Sequence, residues 1–234
     1  NELAEDNVEL DFNALFRASL TDPDADVRVA AIEGLWEDEE HSTAEAIIRL
    51  LVGDPVATVR AAAAAALGHF VLRIELGKLT GPLADRIVQS LLDAYHAPGQ
   101  PVEVRRRALE SLGYRSIPAV TTAIEEAYQS ADPKLRASAV FAMGRSADRR
   151  WLNVVGKELQ SADPEMRYEA ARACGEIGEP VMVRPLARLL VDDDLEVRLA
   201  AVGALGEIGG AEAKRVLEYC LQSEEESIRE AAAE

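Results

Sequence analysis

Apolar and polar positions along this chain recur as a unit. Each unit reads acidic residue, often followed by proline, a short spacer, an aliphatic residue, arginine, and a small-residue stretch closing on Leu-Gly or its equivalent. The marker arginines are Arg28, Arg60, Arg105, Arg136, Arg167, Arg198 and Arg229, at intervals of 32, 45, 31, 31, 31 and 31 residues. Four equal intervals in succession identify an internal repeat. Alanine stands three places after every marker: Ala31, Ala63, Ala108, Ala139, Ala170, Ala201 and Ala232. An aliphatic residue precedes each one: Val27, Val59, Val104, Leu135, Met166, Val197 and Ile228. Positions −1, +3, +4 and +7 from the arginine share one side of a helix, so the spacing predicts one helix per unit with a narrow buried stripe.

Asp22, Asp54, Asp132, Asp163 and Asp192 stand where an N-cap is wanted, and Pro23, Pro55, Pro133 and Pro164 suit the first turn, where a missing N–H costs nothing. Glycine at +8 (Gly68, Gly113, Gly144, Gly175 and Gly206, with Trp36 the departure) suits a helix C-terminus. The segment ahead of each such helix has its own helical pattern, for example Leu15, Phe16 and Leu20, or Trp151, Val155 and Leu159. Each unit is therefore expected to be a helical hairpin that must stack on its neighbours to bury its faces. The expected repeats are 8–38, 42–80, 82–115, 117–147, 149–178, 180–209 and 211–234, forming a single array over 1–234.

The Asp-Pro, Val-Arg and Ala-Leu-Gly signature, as in Asp54-Pro55, Val59-Arg60 and Ala66-Leu67-Gly68, resembles HEAT repeats. Within them it resembles the short, phycobilisome-lyase-like type, over nearly the whole chain. The resemblance implies an all-α, right-handed α-solenoid of about seven hairpins. It does not single out a function, because the family includes scaffolds, lyase subunits and DNA-binding members. It further implies an Asp–Arg ladder between neighbouring repeats, joining Asp54, Asp132, Asp163 and Asp192 to the marker arginines. Gly99 and Ser223 replace the acid in the third and seventh units, where the ladder is expected to be interrupted.

Composition agrees with an all-α chain: 48% hydrophobic residues supply a core, and only 5% aromatics argue against a sheet sandwich. The net charge of −17 repels phosphate backbones and anionic membranes, making nucleic acid an unlikely ligand. Charge is uneven, at −11 for residues 1–53, +3 for 54–160 and −9 for 161–234. Cys174 and Cys220 fall at apolar repeat positions and are read as buried thiols, which fits a reducing, cytoplasmic setting. No uninterrupted apolar run approaches 18 residues and no signal-peptide pattern opens the chain, so no membrane span is expected. A start at Asn1 and an end inside a helical motif at Glu234 point to an excerpt of a longer protein.

Candidate chemistry is sparse. His41, His69 and His96 have no partner at metal-ligand spacing, so neither a metal nor a cofactor is expected. The His-Glu pairs that HEAT-like hydroxylases need are missing from the sequence, as are a nucleophile elbow and phosphate or dinucleotide glycine loops. Acidic runs such as Glu37–Glu40 read as solvated turns. The expected function is non-catalytic binding of a protein or peptide. Two alternatives stand beside it: a bilin lyase or chaperone-type subunit, from the resemblance, and nucleic-acid binding through Arg105, Arg106, Arg107, Arg115, Arg149 and Arg150.

Positions +1, +5 and +9 project away from the buried stripe and, by the HEAT resemblance, onto a concave face. In the middle repeats they gather Arg106, Tyr114, Phe141, Arg145, Tyr168 and Arg172, an expected anchoring patch in which Phe141 stands exposed. Packing of these rings against neighbouring helices is the competing reading. The 45-residue interval places an insertion near residues 70–82, read either as a protruding loop closing the groove or, preferably, as a pair of lengthened helices.

Overall fold

A computed structural model describes residues 12–233; residues 8–11 of the first expected repeat lie outside them. The described chain is a succession of helical hairpins: α1 (Asn13–Ser19) with α2 (Ala25–Gly34), α3 (His41–Gly53) with α4 (Ala57–Glu75), α5 (Pro82–His96) with α6 (Val102–Leu112), and α7 (Pro118–Tyr128) with α8 (Pro133–Arg145). Then follow α9 (Leu152–Glu158) with α10 (Pro164–Ile177), α11 (Val183–Arg188) with α12 (Leu195–Ile208), and α13 (Gly210–Cys220) with α14 (Glu226–Ala233). No strand occurs among the described residues. The architecture is an all-α solenoid.

The stripe read from the sequence is the core. Val59, Val104 and Val197 at −1, and Ala63, Ala108, Ala139, Ala170 and Ala201 at +3, are fully buried. Val27 departs at 39% exposed, since no earlier repeat covers it among the described residues. Leu15 also faces outward at 59%. Cys174 and Cys220 are buried free thiols, and burial pushes Cys174 up to about 12.

Glycine at +8 closes a helix as expected at Gly113, the C-cap of α6; in α4, α8, α10 and α12 it lies inside the helix and has a different role. These glycines have right-handed backbones, and the left-handed cap after α10 is Gly178. A Cβ on Gly144 would lie 2.7 Å from the Cα of Ala173, and one on Gly175 would lie 2.8 Å from the Cα of Ala204. Gly68, Gly113, Gly144 and Gly175 thus each meet a small residue at +6 of the next repeat and let the two backbones approach, whereas Gly206 faces open space. This contact draws α4, α6, α8, α10 and α12 into a tight row, while the first helices α5, α7 and α9 stand apart. Closer spacing on one side bends the array and puts the second helices on its inner face.

The acidic residues occupy two registers. Four places before the marker, Asp24, Asp132, Asp163 and Asp194 cap α2, α8, α10 and α12 by accepting helix amides. Six places before it, Asp22, Asp54 and Asp192 instead accept an amide two residues on. Asp54 and Asp192 use the same carboxylates to reach back to the preceding repeat. Arg28 grips Asp54 through Nε and Nη2 at 2.8 and 3.0 Å, and Arg167 grips Asp192 at 2.7 and 2.8 Å. The Arg167 hydrogen bond holds Asp192 below the usual carboxylate range; at Asp54 the Arg28 and Val56 hydrogen bonds outweigh burial to the same end.

The ladder is therefore partial. Asp132 and Asp163 do not join it, because their carboxylates face their own helix amides while Ser130 and Ser161 hold the reaching position. Gln100 serves Arg60, the Tyr95 carbonyl serves Arg105, and Glu225 serves Arg198. Among the described residues Arg136 donates to the Ser130 and Ala131 carbonyls and to no side chain. Most markers also donate Nη1 to the carbonyl six residues earlier, as in Arg28 to Asp22 and Arg229 to Ser223, clamping their own hairpin turn.

The insertion near residues 70–82 consists of lengthened helices. α4 runs past Gly68 to Glu75, with Phe70 and Val71 buried, and α5 takes up 15 residues. By length and hydropathy α4 alone matches a membrane span among the described residues, but it sits within the solenoid with Val59, Ala63, Ala64 and Leu67 fully buried against neighbouring helices.

Candidate functional site: the inner face of repeats three to six

Because α6, α8, α10 and α12 lie side by side, equal offsets from their markers form rows across the inner face. Row +5 reads Glu110, Phe141, Arg172, Gly203; row +9 reads Tyr114, Arg145, Glu176, Glu207. The predicted patch residues come together as an alternating stack. The Arg145 guanidinium lies 5.4 Å from the Tyr114 ring and 5.0 Å from Phe141, and Arg172 lies 5.5 Å from Phe141 and 5.9 Å from Tyr168. Such contacts orient both partners and shield the cations from water.

The three rings differ in support. Tyr114 and Tyr168 pack against the buried core, whereas Phe141 is not among the residues packed on it. Phe141 is half-buried rather than exposed, because two guanidinium groups cover it. Arg106 stands beside the stack: its Nε donates to the Ser138 hydroxyl at 2.9 Å, and that hydroxyl donates to Glu110 at 2.6 Å.

Carboxylates complete the face. Arg145 approaches Glu176 at 3.3 Å, and Arg172 lies 3.6 Å from Glu176 and 3.8 Å from Glu169. Burial pushes Glu169 up to about 7 against the pull of Arg172, with Glu110, Glu165 and Glu176 adding to the rise. Its Oε2 is buried without a hydrogen bond. Burial likewise raises Glu176 against Arg145 and Arg172.

Sequence reasoning missed Glu169 and Ser138, which lie at +2. A signal existed: +2 is alanine at Ala30, Ala62, Ala200 and Ala231 but polar at Arg107, Ser138 and Glu169, in the three middle repeats alone.

The arginines weighed for nucleic-acid binding are engaged within the chain. Arg106 and Arg107 pair with Glu103 and Glu110, Arg115 with Glu75, Arg149 with Glu179, and Arg150 with Asp148, while Arg105 lies over the Tyr95 ring. A backbone phosphate would have to displace carboxylates at every one of these arginines except Arg105, which is held by the Tyr95 ring and carbonyl. Among the described residues no cluster of three His, Cys, Asp or Glu side chains can hold a metal.

The family model of HEAT repeats matches residues 13–98, 120–197 and 152–234. The chain is a HEAT-repeat protein. No curated protein matches its sequence. Among solved structures, this HEAT-repeat chain is similar to the CpcE–CpcF complex of phycocyanin lyase from Nostoc sp. PCC7120, at 23% identity and a TM-score of 0.66 over 99% of this chain and 89% of that one. It is also similar to Escherichia coli YibA, at 19% identity and 0.56 over 96% and 92%. A third is Kap121p bound to Ste12p, at 16% identity and 0.54, where 94% of this chain spans 28% of the larger protein. At these identities the likeness bears on the fold.

Proposed function

We propose that this HEAT-repeat chain is a non-catalytic scaffold that binds a protein partner on its inner face, across repeats three to six. The observation that carries the reading is Phe141, a large apolar ring held on the inner face by Arg145 and Arg172 and not packed on the hydrophobic core. A ring that adds little to the core yet is fixed by two cations is pre-organised for contact, and aromatic and arginine side chains dominate binding hot spots. The likeness in fold to Kap121p, solved bound to Ste12p, supports this use of the fold.

The test is affinity capture from the source cell with the wild-type chain and a Phe141→Ala/Tyr168→Ala variant. The expected result is loss of the captured partner with a melting temperature within a few degrees of wild type. Undiminished capture would contradict the reading, and a large loss of stability from Phe141→Ala alone would return that ring to a packing role.

A second reading, a bilin lyase subunit, rests on the likeness to CpcE–CpcF. Arg145 and Arg172 are the cations that would meet tetrapyrrole carboxylates, and both already face Glu176. An unshifted bilin absorption band on mixing would remove it.

A further inference from the structure

The alternation of rings and guanidinium groups stops at Tyr168. One repeat on, the place equivalent to Arg172 is Gly203, and no atom outside its own helix backbone and chain neighbours lies within 4 Å of where its Cβ would stand. The result is an open pocket of about 270 Å³ lined by Tyr168, Arg172, Leu199, Ala200, Gly203 and Ala204. Glu196 and Glu207 also line it; both are exposed, and neither has a cation partner among the described residues. Tyr168 also lines a second depression, which carries Glu165, Asp194 and again Glu196.

Resting on the inner-face reading above, we propose that this pocket receives an arginine side chain of the protein partner, which continues the stack from outside the chain. The neighbouring repeat supplies the template. There the chain's own Arg172 lies against Phe141 and Tyr168, with Glu169 and Glu176 at 3.8 and 3.6 Å. In repeat six, Glu207 holds the position of Glu176, Glu196 supplies a second carboxylate, and Tyr168 offers its ring, but glycine stands where the arginine stood.

An incoming aliphatic stem would lie on Leu199, Gly203 and Ala204, with its planar head against Tyr168 between the carboxylates. Arg172 also lines the pocket, but its guanidinium is committed to two rings and two carboxylates, and it forms no ion pair with Glu196 or Glu207. The net charge of −9 over residues 161–234 adds a long-range field of the matching sign. The partner segment is therefore basic.

The probe is the peptide acetyl-Gly-Arg-Gly-amide, titrated into the ¹⁵N-labelled chain beside its citrulline analogue, which keeps the shape and removes the charge. The expected result is a saturable shift of the Leu199, Gly203 and Ala204 amides, weakened roughly tenfold or more with citrulline. The shift is expected to vanish in Gly203→Arg, whose own guanidinium fills the pocket; the open space at Gly203 lets that variant fold. Equal response to citrulline would overturn the proposal. So would no saturable shift up to about 10 mM peptide, unchanged binding by Gly203→Arg, or shifts at the Asp192–Asp194 turn with Gly203 unmoved.

Capture of the cellular partner separates this inference from the one beneath it. Loss in Gly203→Arg as well as in the Phe141→Ala/Tyr168→Ala variant supports both. Loss in the latter alone leaves the inner face standing and removes the pocket; retention in both removes both.

Discussion

The two sides of the second helices follow different rules. Toward the core, offset +3 is alanine in every repeat and +7 is Leu, Met or Cys wherever it is described; toward the inner face, offset +5 runs Glu110, Phe141, Arg172, Gly203. Stacking constrains the first side, because each helix must fit the one before it and the one after it in the same way. The second side is free of that constraint and varies from repeat to repeat. Where residues stop repeating, the fold has ceased to dictate them, and the middle repeats are where this departure also extends to +2.

The sharpest way to break the comparison is to move bulk between the sides. Gly144→Val pushes a branched side chain against the Cα of Ala173 and is expected to cost about 3 kcal/mol, or roughly 6–12 °C in melting temperature. The same exchange at Gly203 meets open space and is expected to leave stability unchanged. Equal losses at both sites, read by chemical denaturation, would show that the inner face is packed as strictly as the core.

A second effect tests the electrostatics of the inner face. Glu169 is raised to about 7 from 4.5, so the folded chain holds its proton more tightly than the unfolded chain does. Its charge therefore weakens the fold as pH rises through that window, and the penalty is absent below it. Glu169→Gln is expected to be more stable than wild type at pH 8, by at most about 3 kcal/mol, with the gap closing near pH 5. A gap that does not depend on pH would mean that Glu169 is solvated.

The smallest effect concerns the ladder. Ser161 stands opposite Arg136 in the register that Asp54 and Asp192 use toward Arg28 and Arg167. Ser161→Asp is expected to complete the missing rung and stabilise by roughly 1 kcal/mol. Adding Arg136→Ala should remove that gain in a double-mutant cycle.

The hairpins and the buried stripe were legible in the sequence because stacking repeats them at a fixed interval. The ladder was only half legible. Acids at −4 and −6 look alike as letters, yet Asp132 faces a helix amide of its own repeat while Asp54 reaches Arg28 of the repeat before. Of the glycines at +8 only Gly113 caps its helix as expected; the others were misread, because helix approach depends on the next repeat and not on the local segment. The rows placed the three rings, Arg145 and Arg172 on one face as a patch but did not show that they stack, and they included Arg106, which stands beside the stack. Glu169 and the pocket at Gly203 were not legible, since glycine at one inner position carries meaning only beside Tyr168 and Glu207.

Amide-shift mapping of the captured partner on the ¹⁵N-labelled chain tests the central claim most directly. Shifts are expected to run along Tyr114, Phe141, Tyr168 and Gly203, with the first helices α5, α7 and α9 unmoved. Shifts confined to those outer helices, with the inner face silent, would contradict it.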